Sequence, residues 1–125
     1  MLELLGIAIG GAAGAVSRFA LTQWANSVFG VAYPYSTLMI NILGSFAIGL
    51  LFILLLERSL LAPVWRSVLM VGFLGAFTTF SAFSLQALGL FEEGRFIAAL
   101  GYICGSVTLC ILAVAAGMFI ARQIP

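Results

Sequence analysis

Four apolar runs, each about as long as a bilayer crossing, fill this chain, and polar positions are confined to the gaps and to a few places within the runs. The pattern predicts helices near residues 4–25, 36–56, 67–90 and 96–120. From Ser67 to Phe91 no charged residue occurs. Pro34 and Pro63 fall in the connections, and Trp24, Tyr33, Tyr35 and Trp65 fall at the expected helix ends, where amphipathic rings sit at the membrane–water boundary. The connections are too short for a soluble domain, so residues 1–125 read as one all-α, four-helix transmembrane domain. The first run has no basic leader and contains Gly10, Gly11 and Gly14, so it is expected to stay as an uncleaved helix.

The third run breaks the apolar monotony. Residues 72–84 read GFLGAFTTFSAFS, with Phe73, Phe77, Phe80 and Phe83 at the spacing of a helical stripe. Gly75 and the tandem Thr78-Thr79 weaken the helix in its middle. A break there, near Gly75–Thr79, frees backbone groups at membrane depth, which lipid cannot satisfy; such a break is tolerated around a cavity or a bound ion. Freed carbonyls suit a small hard cation. Phenylalanine ring edges carry partial positive charge, so rings presented edge-on contact an anion without the tight hold of an arginine. A weak grip favours conduction.

The other runs carry their own polar or small-residue stripes. Gly6, Gly10 and Gly14 recur every four residues and predict a close helix–helix approach. In the second run Thr37, Asn41 and Ser45 form one ridge with Gly44 beside it. Asn41 carries two donors and an acceptor, and leaving it unpaired in hydrocarbon costs on the order of a few kcal/mol. Two readings stand: an interhelical hydrogen bond that fixes packing, or an amide that donates to a passing anion. In the fourth run Tyr102, Ser106 and Cys110 repeat the spacing of four, with Gly101 and Gly105 alongside, as a packing ridge or a polar lining. Four helices are too few to surround a pore, so a lined path needs at least two chains.

Composition narrows the class further. The 125 residues are 64% hydrophobic and 7% charged, without His, Lys or Asp. Glu3, Glu57, Arg58, Arg66, Glu92, Glu93, Arg95 and Arg122 all sit at segment ends, leaving Arg18 as the one charged residue within a span. Arg18 is either an anion-attracting entrance or an anchor that snorkels outward along its stem. Arg58, Arg66 and Arg122 on one side against Arg95 on the other give a weak orientation bias, which permits insertion in both directions and an antiparallel dimer. Cys104 and Cys110 lie on different faces of one helix, which speaks against a disulfide; without His or acidic neighbours they read as small apolar filler, not metal ligands.

Several functions fall away on this inventory. There is no nucleophile–base pair and no phosphate-binding glycine loop, so an enzyme is not expected. The five arginines form no basic patch for nucleic acid. A small proton-coupled multidrug exporter needs a carboxylate in mid-membrane, and every Glu here lies at a segment end. A non-conducting structural membrane subunit stays open on composition alone.

The segments GGAAGAVSR (10–18), STLMINILGSFAIG (36–49), GFLGAFTTFSAFS (72–84) and EGR (93–95), in that order, resemble the bacterial fluoride channel family, CrcB or Fluc, across the whole chain. The resemblance implies a passive channel that lets fluoride leave the cytoplasm and protects against its toxicity. It further implies a multi-pass protein of the bacterial inner membrane, an antiparallel homodimer of dual topology, and a structural sodium ion at the dimer centre. On that resemblance Asn41 donates to fluoride and Phe80 and Phe83 line its path, with Arg18 in the entrance. Ser81, Tyr102 and Ser106 add to the polar lining, and carbonyls of Gly75 and Thr78 hold the sodium. Cys110 and Val114 stand where the family tends to have Ser and Thr, which thins the polar track in the fourth helix.

Overall fold

Helix α1 spans Leu2–Phe29 and ends where Gly30 takes a φ of 75°, its amide returning to the Asn26 carbonyl. A left-handed residue at that point is what glycine permits at no steric cost. Helix α2 begins at Tyr35, behind Pro34, and runs to Leu51 before its final turns widen to a π-helix at Phe52–Glu57. Helix α3 covers 64–77, with a π-helical centre at Ser67–Leu74. Thr78 and Thr79 are extended, and the chain re-enters a helix, α4, at Phe80–Glu92. Gly94, with a φ of 74°, turns it into α5, Phe96–Gln123. The computed structural model describes all 125 residues.

Counting α3 and α4 as one interrupted crossing, four helical spans are long and apolar enough to cross a membrane: Leu2–Phe29, Tyr35–Glu57, Val64–Glu92 and Phe96–Gln123. Each outlasts its sequence-based bounds by a few residues, because the polar ends continue the helix into the boundary layer. Large apolar side chains such as Ile9, Phe19, Leu85 and Ile97 point outward. That arrangement suits a hydrocarbon solvent and is costly in water.

With little to gain from burying oil against oil, these helices associate through small residues. A methyl group placed on Gly10 or Gly14 would sit 2.3 Å from the Val68 carbonyl oxygen or 2.1 Å from that of Phe73. The glycine stripe therefore lays α1 directly on the π-helical backbone of α3, and Gly72 returns the contact against Ile7. Helices α2 and α5 meet the same way, through Gly49 against Val114 and Gly117 against Phe46. Gly101 and Gly105 behave differently: nothing in the chain lies within 4 Å of a methyl group built on either, so no helix of the same chain uses them as a packing pair.

Polar clamps gather at the two ends. The Arg58 guanidinium donates to the carbonyls of Arg122 and Ile124, Arg122 pairs with Glu57 at 3.2 Å, and Ser67 donates to Glu3. At the opposite end Arg95 donates to the Ala32 carbonyl and lies 3.4 Å from Glu93. The chain termini and the 57–66 connection thus share one side, as four crossings require.

Candidate functional site

The interruption between α3 and α4 is held by one side chain. The Asn41 amide nitrogen donates to the Thr79 carbonyl at 3.0 Å, and the Thr79 amide donates to the Asn41 Oδ1 at 2.8 Å. In an unbroken helix the Thr79 amide would bond to the Gly75 carbonyl; here Asn41 has taken it, and Gly75 is left without that donor. No backbone amide reaches the Thr78 carbonyl. The Thr79 hydroxyl starts the next helix by accepting from the Ala82 amide at 3.2 Å, while the Thr78 hydroxyl ends the previous one on the Leu74 carbonyl. Both sequence-based readings of Asn41 thus bear on one residue. It makes the interhelical bond, and one N–H remains uncommitted beside a cavity.

The break falls at the C-terminal edge of the expected window. Gly75 itself is helical, with φ −60° and ψ −35°, and the extended residues are Thr78 and Thr79. This divides the expected phenylalanine stripe, because two extended residues reset the helical phase. Phe73 and Phe77 stack at 5.8 Å on one side. On the other, Phe80 and Phe83 lie 5.4 Å apart with their planes tilted by 41°.

Two cavities flank the break, and Thr79 lines both. The first, of about 410 Å³, brings Asn41, Ser45, Phe80, Phe83, Ser106 and Cys110 together around the peptide groups of Gly75 and Thr78. The second, of about 640 Å³, holds Arg18, Thr37, Ser81 and Gln86. No carboxylate lines either one. The Thr37–Asn41–Ser45 ridge is therefore shared between the cavities instead of lining a single path. Arg18 forms no hydrogen bond or ion pair within the chain, which leaves its guanidinium free to face the second cavity.

The α5 ridge also divides. Ser106 and Cys110 line the first cavity, and the Ser106 hydroxyl is buried without a hydrogen-bond partner. Tyr102, 1% exposed, lies behind the cavity wall with its ring 5.1 Å from that of Phe83. Its hydroxyl donates to Gln86 Oε1 at 2.9 Å, so it supports the lining from behind. Sequence reasoning passed over Gln86, although an uncharged amide within an apolar run is the same signal that singled out Asn41. It also passed over Met70, which faces the first cavity from α3.

Residues 5–118 match the family described as CrcB-like protein, Camphor Resistance (CrcB). The chain is 46% identical over 122 residues to a protein of Hahella chejuensis named fluoride-specific ion channel FluC, covering 98% of this chain and 96% of that one. A protein of Rhizobium etli with the same name is 47% identical over 125 residues, covering 99% of both chains. One from Saccharophagus degradans is 40% identical over 121 residues, covering 96% and 90%. With that match over nearly its whole length, and with four membrane-capable helices carrying the quoted segments, the chain belongs to the CrcB family of multi-pass membrane proteins.

Proposed function

We propose that this protein is a fluoride-selective channel that lets the ion leave a bacterial cytoplasm across the inner membrane. The observation that carries the reading is the pair of cavities meeting at Thr79, lined by neutral donors, aromatic rings and Arg18 and by no carboxylate. An anion losing its water needs replacement donors. The spare Asn41 N–H, the Ser106 and Ser81 hydroxyls and the edges of Phe80 and Phe83 are of that kind, and Arg18 raises the local anion concentration at the second cavity. None of these holds the ion as a buried ion pair would. The membrane potential, negative inside, drives an anion outward with about 2.3 kcal/mol per 100 mV, so no coupled ion is required. The names borne by the relatives agree.

The functional unit in this reading is an antiparallel homodimer. Phe80 is 78% exposed in the single chain, the first cavity opens to the outside beside it, and Gly75 presents its surface to whatever lies there. A second copy would close that side, and the weak charge asymmetry allows it to insert upside down. The carbonyls of Gly75 and Thr78 fit a sodium ion: both are hard oxygens without their helical amide donors, and two copies supply twice the number. Such an ion would supply fixed positive charge that ties the two breaks together.

The test is halide release from vesicles containing only the purified protein, read with fluoride and chloride electrodes. Fluoride release without chloride release is expected. Release of neither ion refutes the proposal and leaves a non-conducting subunit; equal release of both refutes selectivity. Proton-coupled export finds no support, since Glu57 and Glu93 pair with arginines and Glu3 accepts from Ser67 at the chain's ends.

A further inference from the structure

We infer that the first cavity also binds a soft monovalent cation of the silver(I) and copper(I) class, held by the Cys110 thiolate and the Met70 thioether, and that its occupation plugs the ion path. The plug rests on the channel reading above; the binding does not.

Two sulfur-bearing side chains from different helices line one cavity, Met70 from α3 and Cys110 from α5. The sequence argued against metal at Cys110 for want of a partner, and the fold supplies one of matching softness. Ser106 stands one helical turn before Cys110 on the same lining, only 6% exposed, with its hydroxyl oxygen buried and unpartnered.

Donor chemistry selects the ion. No imidazole or carboxylate faces this cavity, and nowhere do three His, Cys, Asp or Glu side chains gather. Zinc, calcium and magnesium therefore lack a ligand set. Thiolate and thioether together suit soft monovalent ions that accept few ligands. Binding breaks the Cys110 S–H bond and leaves its electron pair on sulfur, which forms the sulfur–metal bond as the proton passes to water. Met70 adds a lone pair and breaks nothing, and no electron changes hands. Cys110 is partly exposed to the cavity and thus reachable, whereas the exposed Cys104 lines none of the three main cavities. An ion held by Cys110 and Met70 lies in the first cavity, the space an anion would cross.

Silver nitrate is the probe, in nitrate and gluconate salts because chloride precipitates silver. Titration of the purified protein, followed by mass spectrometry under non-denaturing conditions, is expected to give tight silver binding by the wild type and by Cys104→Ser. Cys110→Ser should weaken that binding by at least roughly ten-fold and Met70→Leu by a few-fold. Fluoride release should stop on adding silver to wild-type or Cys104→Ser vesicles, and the block should be lost in Cys110→Ser. Tight silver that vanishes with Cys104 instead of Cys110 overturns the site. Silver on Cys110 with undiminished fluoride release overturns the plug. Vesicles that release no fluoride before silver is added refute the channel reading, while the titration still decides the metal site.

Discussion

Replacing Asn41 with Asp tests the break and the path together. Asn41 satisfies both polar groups of the Thr79 peptide, at 3.0 and 2.8 Å. A carboxylate keeps the bond from the Thr79 amide but turns the other into two oxygens facing each other. Losing that bond and stranding the Thr79 carbonyl costs about 1–3 kcal/mol of stability. The effect on an anion is larger. A fluoride about 4 Å from a fixed negative charge, at an effective dielectric of about 20, is repelled by about 4 kcal/mol. That corresponds to a fall of roughly a thousand-fold in occupancy, and in flux if this is the limiting position. Asn41→Leu sorts the two contributions: it removes both clamps and adds no charge. If Asn41 both clamps and lines, Leu should lower the melting temperature more than Asp, while Asp lowers fluoride release more than Leu. The assay is electrode-monitored efflux from vesicles at matched protein content, beside thermal unfolding in detergent. Asp flux within about ten-fold of wild type would remove Asn41 from the path, and Leu harming both properties more than Asp would reduce it to packing.

Three further outcomes follow from the same geometry. Gly14→Val places a branched side chain where even a methyl group would sit 2.1 Å from the Phe73 carbonyl oxygen, so α1 should separate from α3 at a cost of about 3 kcal/mol or more, visible as lost folded protein in detergent. Gly75→Leu meets nothing closer than the Met70 carbonyl at 3.7 Å at its Cβ, so the chain should fold and insert normally while dimers, read by chemical cross-linking, are lost; intact dimers with sodium-independent stability would contradict the cation site. Arg18→Gln should slow fluoride release several-fold in dilute salt and less in concentrated salt, because screening shortens the reach of the charge; equal release at both strengths would make Arg18 an anchor.

Much of this architecture was legible because charge is scarce. With eight of nine charged residues at segment ends, the four spans could hardly fall elsewhere, and the glycine stripe on α1 announced a close neighbour. The π-helical stretches Phe52–Glu57 and Ser67–Leu74 had no such signature. Of the two, Ser67–Leu74 is the one that lies against Gly10 and Gly14 of α1, a tertiary contact no local pattern encodes. The break was foreseen within Gly75–Thr79 and falls at the C-terminal end of that window, at Thr78 and Thr79. Gly75 permits an interruption without requiring one; it is the match of Asn41 to the Thr79 peptide, across two helices, that decides where the chain opens. For the same reason spacing by four misjudged the ridges. It brings Tyr102 and Ser106 to one face of α5, yet only Ser106 lines a cavity, while Phe83 and Gln86 of α4 pack on Tyr102.

The uneven satisfaction of the break is itself informative. Asn41 and the two threonine hydroxyls answer the Thr79 amide and carbonyl, the Ala82 amide and the Leu74 carbonyl, yet the Gly75 and Thr78 carbonyls keep no helical donor. At membrane depth each such group costs about 1–3 kcal/mol while it stays unpaired. A chain selected for stability alone would close the helix, since hydrocarbon offers nothing in return. Gly75 and Thr78 line the first cavity, on the side where Gly75 and Phe80 are exposed. Whatever satisfies them comes from outside the single chain, and the second copy with a shared cation proposed above would do so while covering Phe80. Vesicles diluted until most hold one chain should then lose fluoride release in proportion to the loss of dimers. Release that survives in single-chain vesicles would show that one copy completes the path.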